Sequence, residues 1–203
     1  MKRKWMAALL VLSLSVTLFG CSSGGSDDTA GDDTKKEADS GSDSKTDGGG
    51  TEGLKVGFSQ CDNGNSWRIA ETESMQETAK EYGVELVYTD ASADIAKQAS
   101  DIEDMVAQGV DYLVVAPQEE DGLQAALKSA MDKGIPVILV DRGVNGEAGD
   151  VYTTAIMSDF VWEAEQVANK FIEVLDGKGN CVILQGTQGA TSTNDRQKGF
   201  MDA

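Results

Sequence analysis

Short apolar runs and stretches of helical periodicity take turns along the chain from Leu54 onward. Leu54–Phe58, Val84–Tyr88, Val110–Ala116, Gly134–Val140, Tyr152–Met157 and Asn180–Gln185 read as six strands, each closed by polar or turn residues. The runs at 110–116 and 134–140 do not alternate, which fits strands buried on both faces of a parallel sheet. Ser66 is placed as an N-cap for a helix over Trp67–Tyr82, with Gly83 as its stop. Ile95, Ala99, Ile102, Met105 and Val106 mark one face of a second helix that ends at Gly109. Leu123, Ala126, Leu127, Ala130 and Met131 mark a third, and Ala164, Val167, Ala168, Phe171, Ile172 and Leu175 a fourth. Strand and helix recur about every 27 residues, in the range of a βαβ unit. The fold class is therefore α/β, with a doubly wound parallel sheet.

Before Leu54 the pattern vanishes. Residues 22–53 are mostly Gly, Ser, Asp and Thr, without one large apolar side chain. Such a run has nothing to offset the entropy of ordering, so residues 21–53 are expected to be a disordered, flexible linker. Upstream, Lys2, Arg3 and Lys4 precede an apolar stretch from Met6 to Val16, and Leu18-Phe19-Gly20-Cys21 follows. That layout is a secretory signal over 1–20 with a lipoprotein cleavage box, leaving Cys21 as the lipidated N-terminus. An uncleaved anchor helix is the alternative. Both place the remainder outside the cytoplasm, attached to the cell membrane.

Charge and composition narrow the function. The 203 residues carry a formal net charge of −18, which repels phosphate backbones and disfavours nucleic acid as a partner. Beyond Cys21, the cysteines Cys61 and Cys181 lie far apart and form neither a disulfide framework nor a metal-ligand pattern. With no histidine, the chain lacks the usual general base and the commonest zinc ligand. The expectation is a non-enzyme without cofactor or metal.

In open α/β sheets ligands bind beyond the carboxyl ends of the strands. There the sequence sets Phe58-Ser59-Gln60, the loop to Ser66-Trp67-Arg68, Ala116-Pro117-Gln118, Asp141-Arg142, Ser158-Asp159, and Gly186-Thr187-Gln188-Gly189 with Asp195-Arg196 beyond. Aromatic, carboxylate, amide and guanidinium groups suit a sugar, whose C–H faces pack on rings and whose hydroxyl pairs meet Asp and Arg. Trp67 as core and Asp141–Arg142 as a loop ion pair are the competing readings. Ser59 lacks a histidine to activate it, and the 186–189 turn lacks the Lys-Ser/Thr of a phosphate loop.

Val56-Gly-Phe-Ser-Gln60 with Ser66-Trp-Arg68, Gln108-Gly-Val-Asp111, Gly134-Ile-Pro-Val137, Val140-Asp-Arg142, and Leu184-Gln-Gly-Thr187 with Asp195-Arg196 and Gly199-Phe200 form an ordered series. It resembles the type I, ribose-binding-like sugar-binding proteins of bacterial ABC transporters, and within them the galactofuranose-binding branch. The resemblance implies a two-lobed clamp that traps a monosaccharide and delivers it to a membrane permease. It implies sugar contacts from Phe58, Ser59, Gln60, Trp67, Arg68, Asp141 and Arg142, a crossing between lobes near Asp159, and a second-lobe contact from Arg196. Residues 54–158 would be the first lobe and 159–203 the crossover and the start of an incomplete second lobe. Residues 180–203 are then expected to be poorly supported, and the 203 residues alone to bind sugar weakly or not at all. Ala116 replaces the family's asparagine, and Phe58 and Trp67 stand where ribose binders use a phenylalanine pair, which points away from ribose. Sugar-responsive repressors share the fold but need a basic N-terminal DNA-binding helix pair, which this chain replaces with signal and acidic linker. A sugar-sensing role beside a signalling receptor remains the alternative to import.

Overall fold

The computed structural model describes residues 50, 51 and 53–203, so the signal, Cys21 and nearly all of the linker lie outside the described residues. Five strands form one sheet: β1 (Lys55–Gln60), β2 (Glu85–Asp90), β3 (Tyr112–Val115), β4 (Val137–Val140) and β5 (Thr154–Ile156). Their order is β2-β1-β3-β4-β5 and every neighbouring pair is parallel. The helices are α1 (Ser66–Glu81), α2 (Ile95–Ala107), α3 (Gln124–Asp132), α4 (Phe160–Val174) and α5 (Thr191–Asp202). None of the described helices is long and apolar enough to cross a membrane.

Register sorts the strand residues between two faces. Gly57, Leu113 and Val137 lie in one row, and Phe58, Val114 and Ile138 in the next. The first face packs Leu113, Val115, Val137 and Leu139 against Ile102 and Met105 of α2 and Leu127 and Ala130 of α3. The second packs Phe58, Val114 and Ala116 with Met75 of α1. Gly57 admits α2 closely, since a Cβ there would lie 2.9 Å from Met105 Sδ. α5 crosses α4 equally closely, because a Cβ on Gly199 would lie 2.1 Å from the Val161 carbonyl oxygen.

Three expectations shift. Asn65, not Ser66, caps α1, its side chain accepting from the Arg68 amide at 3.1 Å. Thr51, assigned to the linker, is tied to the domain: its hydroxyl donates to the Tyr82 carbonyl at 2.5 Å and its own carbonyl accepts from the Leu54 amide. The sixth strand does not form. Residues 180–185 take no strand conformation, and Leu184 is 92% exposed. Among the described residues no strand lies beside that segment, and an apolar run without a neighbour has no partners for its backbone groups. Downstream, α5 is a full helix packed on α4, where Phe171 and Phe200 meet edge to face at 5.8 Å.

Candidate functional site

The carboxyl edge of the sheet carries a continuous polar network that begins in α1. Capping by Asn65 starts the helix just beyond β1 and sets Arg68 in its first turn. Arg68 is 2% exposed, and its guanidinium meets Glu71 Oε2 at 2.7 Å and Asp141 Oδ2 at 2.5 Å. Burial opposes its charge, but Cys61 once ionised, together with Asp141 and Glu71, holds the guanidinium above its ordinary value. Gln60 Nε2 donates to the same Glu71 oxygen and to the Thr72 hydroxyl, which in turn donates to Asn63 Oδ1. Asn63 Nδ2 donates to the Tyr88 hydroxyl.

Asp141 and Arg142 directly follow β4. Asp141 sits at φ +63°, a left-handed conformation that Asp tolerates better than most residues. Arg142 Nη1 donates to the Gln118 carbonyl at 3.1 Å and reaches the Pro117 carbonyl at 3.5 Å. Its Nε is buried with no hydrogen-bond partner, 3.9 Å from Asp141 Oδ2. Among the described residues Asp141 Oδ1 also makes no hydrogen bond. One donor and one acceptor are thus left open on successive residues. Cys61 Sγ lies 3.9 Å from Arg142 Nη1; burial pushes its thiol up to about 11, against the pull of Arg68 and Arg142. It is a neutral, buried thiol.

A cleft of about 570 Å³ lies between α4, α5 and the 183–187 stretch, with Arg142, Glu163, Gln185, Thr187 and Arg196 in its lining. Arg196 is held by Glu163 at 3.0 Å and stacks 4.4 Å over the Phe160 ring. The α5 end of the cleft is fastened to the sheet edge. Gly143 N donates to Thr191 Oγ1 at 2.9 Å, and Glu120 N to the Gly189 carbonyl at 2.8 Å. Arg68, Arg142 and Arg196 lie beside Glu71, Asp141 and Glu163, and Asp62 and Asp90 bring two further carboxylates to the network. Among the described residues no group of three or more Cys, Asp or Glu is placed to hold a metal ion.

The structure therefore joins Gln60, Arg68, Asp141 and Arg142, with Arg196 across the cleft, and leaves other expected contacts apart. Phe58 is fully buried in the second core cluster, its ring 5.9 Å from that of Tyr88, so as placed it offers a ligand no surface. Ser59 is also fully buried, its hydroxyl accepting from Gln98 Nε2 at 3.3 Å. Trp67 is neither core nor cleft lining: it is 66% exposed in the first turn of α1. Asp159 caps α4, accepting from the Trp162 amide at 2.9 Å. That job accounts for a carboxylate at this position. Sequence reading missed Glu71, Gln98 and Glu163. Glu71 was signalled by its i,i+3 spacing from Arg68.

The model of the periplasmic binding protein domain matches residues 56–203. The galactofuranose-binding protein YtfQ of Escherichia coli strain K12 is 36% identical over 151 residues, 74% of this chain and 48% of that protein. The crystal structure of a galactofuranose-binding protein superposes with a TM-score of 0.69 at 36% identity, covering 74% of this chain and 51% of the other. The fructose-binding periplasmic domain of a hybrid two-component system gives a TM-score of 0.69 at 36% identity, covering 74% and 49%. The chain spans about half the length of these relatives. A parallel α/β sheet, a polar cluster at its carboxyl edge and a match across residues 56–203 agree: this chain belongs to the periplasmic binding protein domain family.

Proposed function

We propose that this chain supplies one side of a sugar-gripping cleft in an extracytoplasmic binding lipoprotein of a carbohydrate ABC importer. The observation that carries the reading is the open pair at the end of β4. Arg142 Nε is a buried donor without a partner, and the preceding residue, Asp141, keeps one carboxylate oxygen, Oδ1, outside its pair with Arg68. Two neighbouring sugar hydroxyls satisfy both, through charge-assisted hydrogen bonds of about 1.5–3 kcal/mol each. Carboxylates match or outnumber the three arginines there, which favours a neutral ligand over a sugar acid or phosphate. Kinship with a galactofuranose-binding protein supports a hexose or pentose in the furanose form as first choice. Arg196 is the second-lobe contact, and Trp67, exposed in the first turn of α1, has ring surface to offer a sugar's C–H face. Lipid on Cys21 would tether the receptor, with the acidic linker as its leash.

A sensing role is the second reading, favoured by the likeness to a sugar-binding domain of a two-component system. A permease and an ATPase encoded beside this chain support import, and a histidine kinase supports sensing. Thermal-shift screening of pentoses and hexoses on the full-length protein tests the ligand class. At a hundredfold excess over Kd a bound sugar adds about 2.7 kcal/mol, a shift of several degrees. Unmoved melting with every sugar at millimolar concentration overturns the proposal.

A further inference from the structure

We propose that Gln98, which lies on α2 and is fully buried, is a positioning residue that aims Arg142; this rests on the sugar-binding reading above. A long polar side chain in the interior is tolerated only when its polar atoms are hydrogen-bonded. Gln98 meets that condition with groups at the functional edge of the sheet. Its Nε2 donates to the Ala116 carbonyl at 2.9 Å and to Ser59 Oγ at 3.3 Å. Its Oε1 accepts from the Gln118 amide at 2.9 Å.

These partners are the loose ends of the two central strands. The β1–β3 ladder ends where Ala116 N donates to the Ser59 carbonyl at 3.0 Å. Beyond that rung the chain turns away, and the Gln98 carboxamide takes over both strand ends. The peptide unit joining Pro117 to Gln118 is then held from two sides. Its N–H points to Gln98 Oε1 and its C=O faces Arg142 Nη1 at 3.5 Å. The next carbonyl, that of Gln118, accepts from Arg142 Nη1 at 3.1 Å. One hydrogen-bonded path thus runs from α2 through a single peptide plane to the guanidinium whose Nε stands open. If that plane turns, Arg142 loses its anchor and its open edge loses its direction.

The test uses the full-length protein with Gln98→Met, which keeps length and removes all three bonds, and Gln98→Glu, which keeps the acceptor for Gln118. Ile102→Val is the control, since Ile102 is fully buried on the same helix without a polar link to Arg142. The first readout needs no sugar. Amide exchange at Gln118 is expected to quicken about tenfold or more in Gln98→Met relative to Ile102→Val, with Gln98→Glu in between, as local hydrogen bonds govern such opening. The Arg142 guanidinium NMR signals are expected to lose their slow exchange in the same order. The second readout is calorimetric titration with L-arabinose, D-galactose, D-fructose and D-ribose. For whichever sugar binds, Gln98→Met is expected to raise Kd about tenfold, and adding it to Arg142→Lys is expected to change little further, the non-additivity of residues acting through one path. Additive losses, or a Gln118 amide and Arg142 signals no different from the Ile102→Val control, overturn the inference. If none of the four sugars binds the unaltered protein, the ligand reading fails, and the exchange and NMR data still decide the role of Gln98. Should Gln98→Met not fold, Gln98→Glu carries both readouts.

Discussion

Replacing Asp141 separates the two things its side chain does. Asp141→Asn keeps a residue that accepts the left-handed backbone and removes the charge facing Arg68 Nη2 at 2.5 Å. Arg68 is almost wholly out of solvent, so the lost interaction is not replaced by water. A hydrogen bond between charged groups is worth about 1.5–3 kcal/mol. Stranding a buried charge outright costs about 3–5 kcal/mol, but Arg68 keeps Glu71, which sets the lower figure as the expectation. Asp141→Asn should thus lose about 2 kcal/mol, lowering Tm by about 4–8 °C for a chain of this size. Asp141→Ala should lose about 1 kcal/mol more, from a Cβ forced into positive φ without local hydrogen bonding. Urea denaturation followed by far-ultraviolet circular dichroism measures both, with an unchanged slope confirming that only stability has moved. The losses should persist in high salt, as those of buried pairs do. A loss below about 0.5 kcal/mol for Asp141→Asn, the level of an exposed ion pair, would refute the claim that Arg68 depends on this carboxylate.

Cys61 and Asp159 give two further checks. The folded protein keeps the Cys61 proton up to about 11 whereas an ordinary thiol releases it at 9.0, so the unfolded chain binds fewer protons in that interval and stability should fall as pH rises through it. Cys61→Ala should flatten that alkaline decline in denaturation midpoints; an identical decline in both proteins would show that the thiol is not its source. Asp159→Ala should lose about 1 kcal/mol as a missing N-cap, and Asp159→Asn should restore it with sugar affinity intact. Affinity that drops with Asn as much as with Ala would return Asp159 to the ligand.

The first five strands and all four helices expected up to residue 175 were legible, because buried parallel strands and amphipathic helices write different periods. The site was legible only in part, and Trp67 and Arg68 show why. Hydropathy buries the tryptophan and exposes the arginine, and the structure does the reverse. Two carboxylates make a buried Arg68 tolerable: Glu71 is written in the i,i+3 spacing, but Asp141, 73 positions away, is a partner that no local pattern carries. Phe58 is ambiguous for a related reason. At the end of a central strand covered on both faces, an aromatic residue reads alike whether it packs on Val114 or awaits a ring of sugar. The stretch 180–185 has the composition of a strand, yet strand formation is a property of pairs, and no strand among the described residues pairs with it.

The arginine–carboxylate cluster has a bearing on how such a grip is released. The chain contains no histidine, the side chain that ordinarily changes charge between about pH 5 and 8. The thiol nearest the guanidinium groups stays protonated until far above that interval. On the proposed reading, neither an imidazole nor the Cys61 thiol of these residues changes charge between about pH 5 and 8 while a sugar is held or let go.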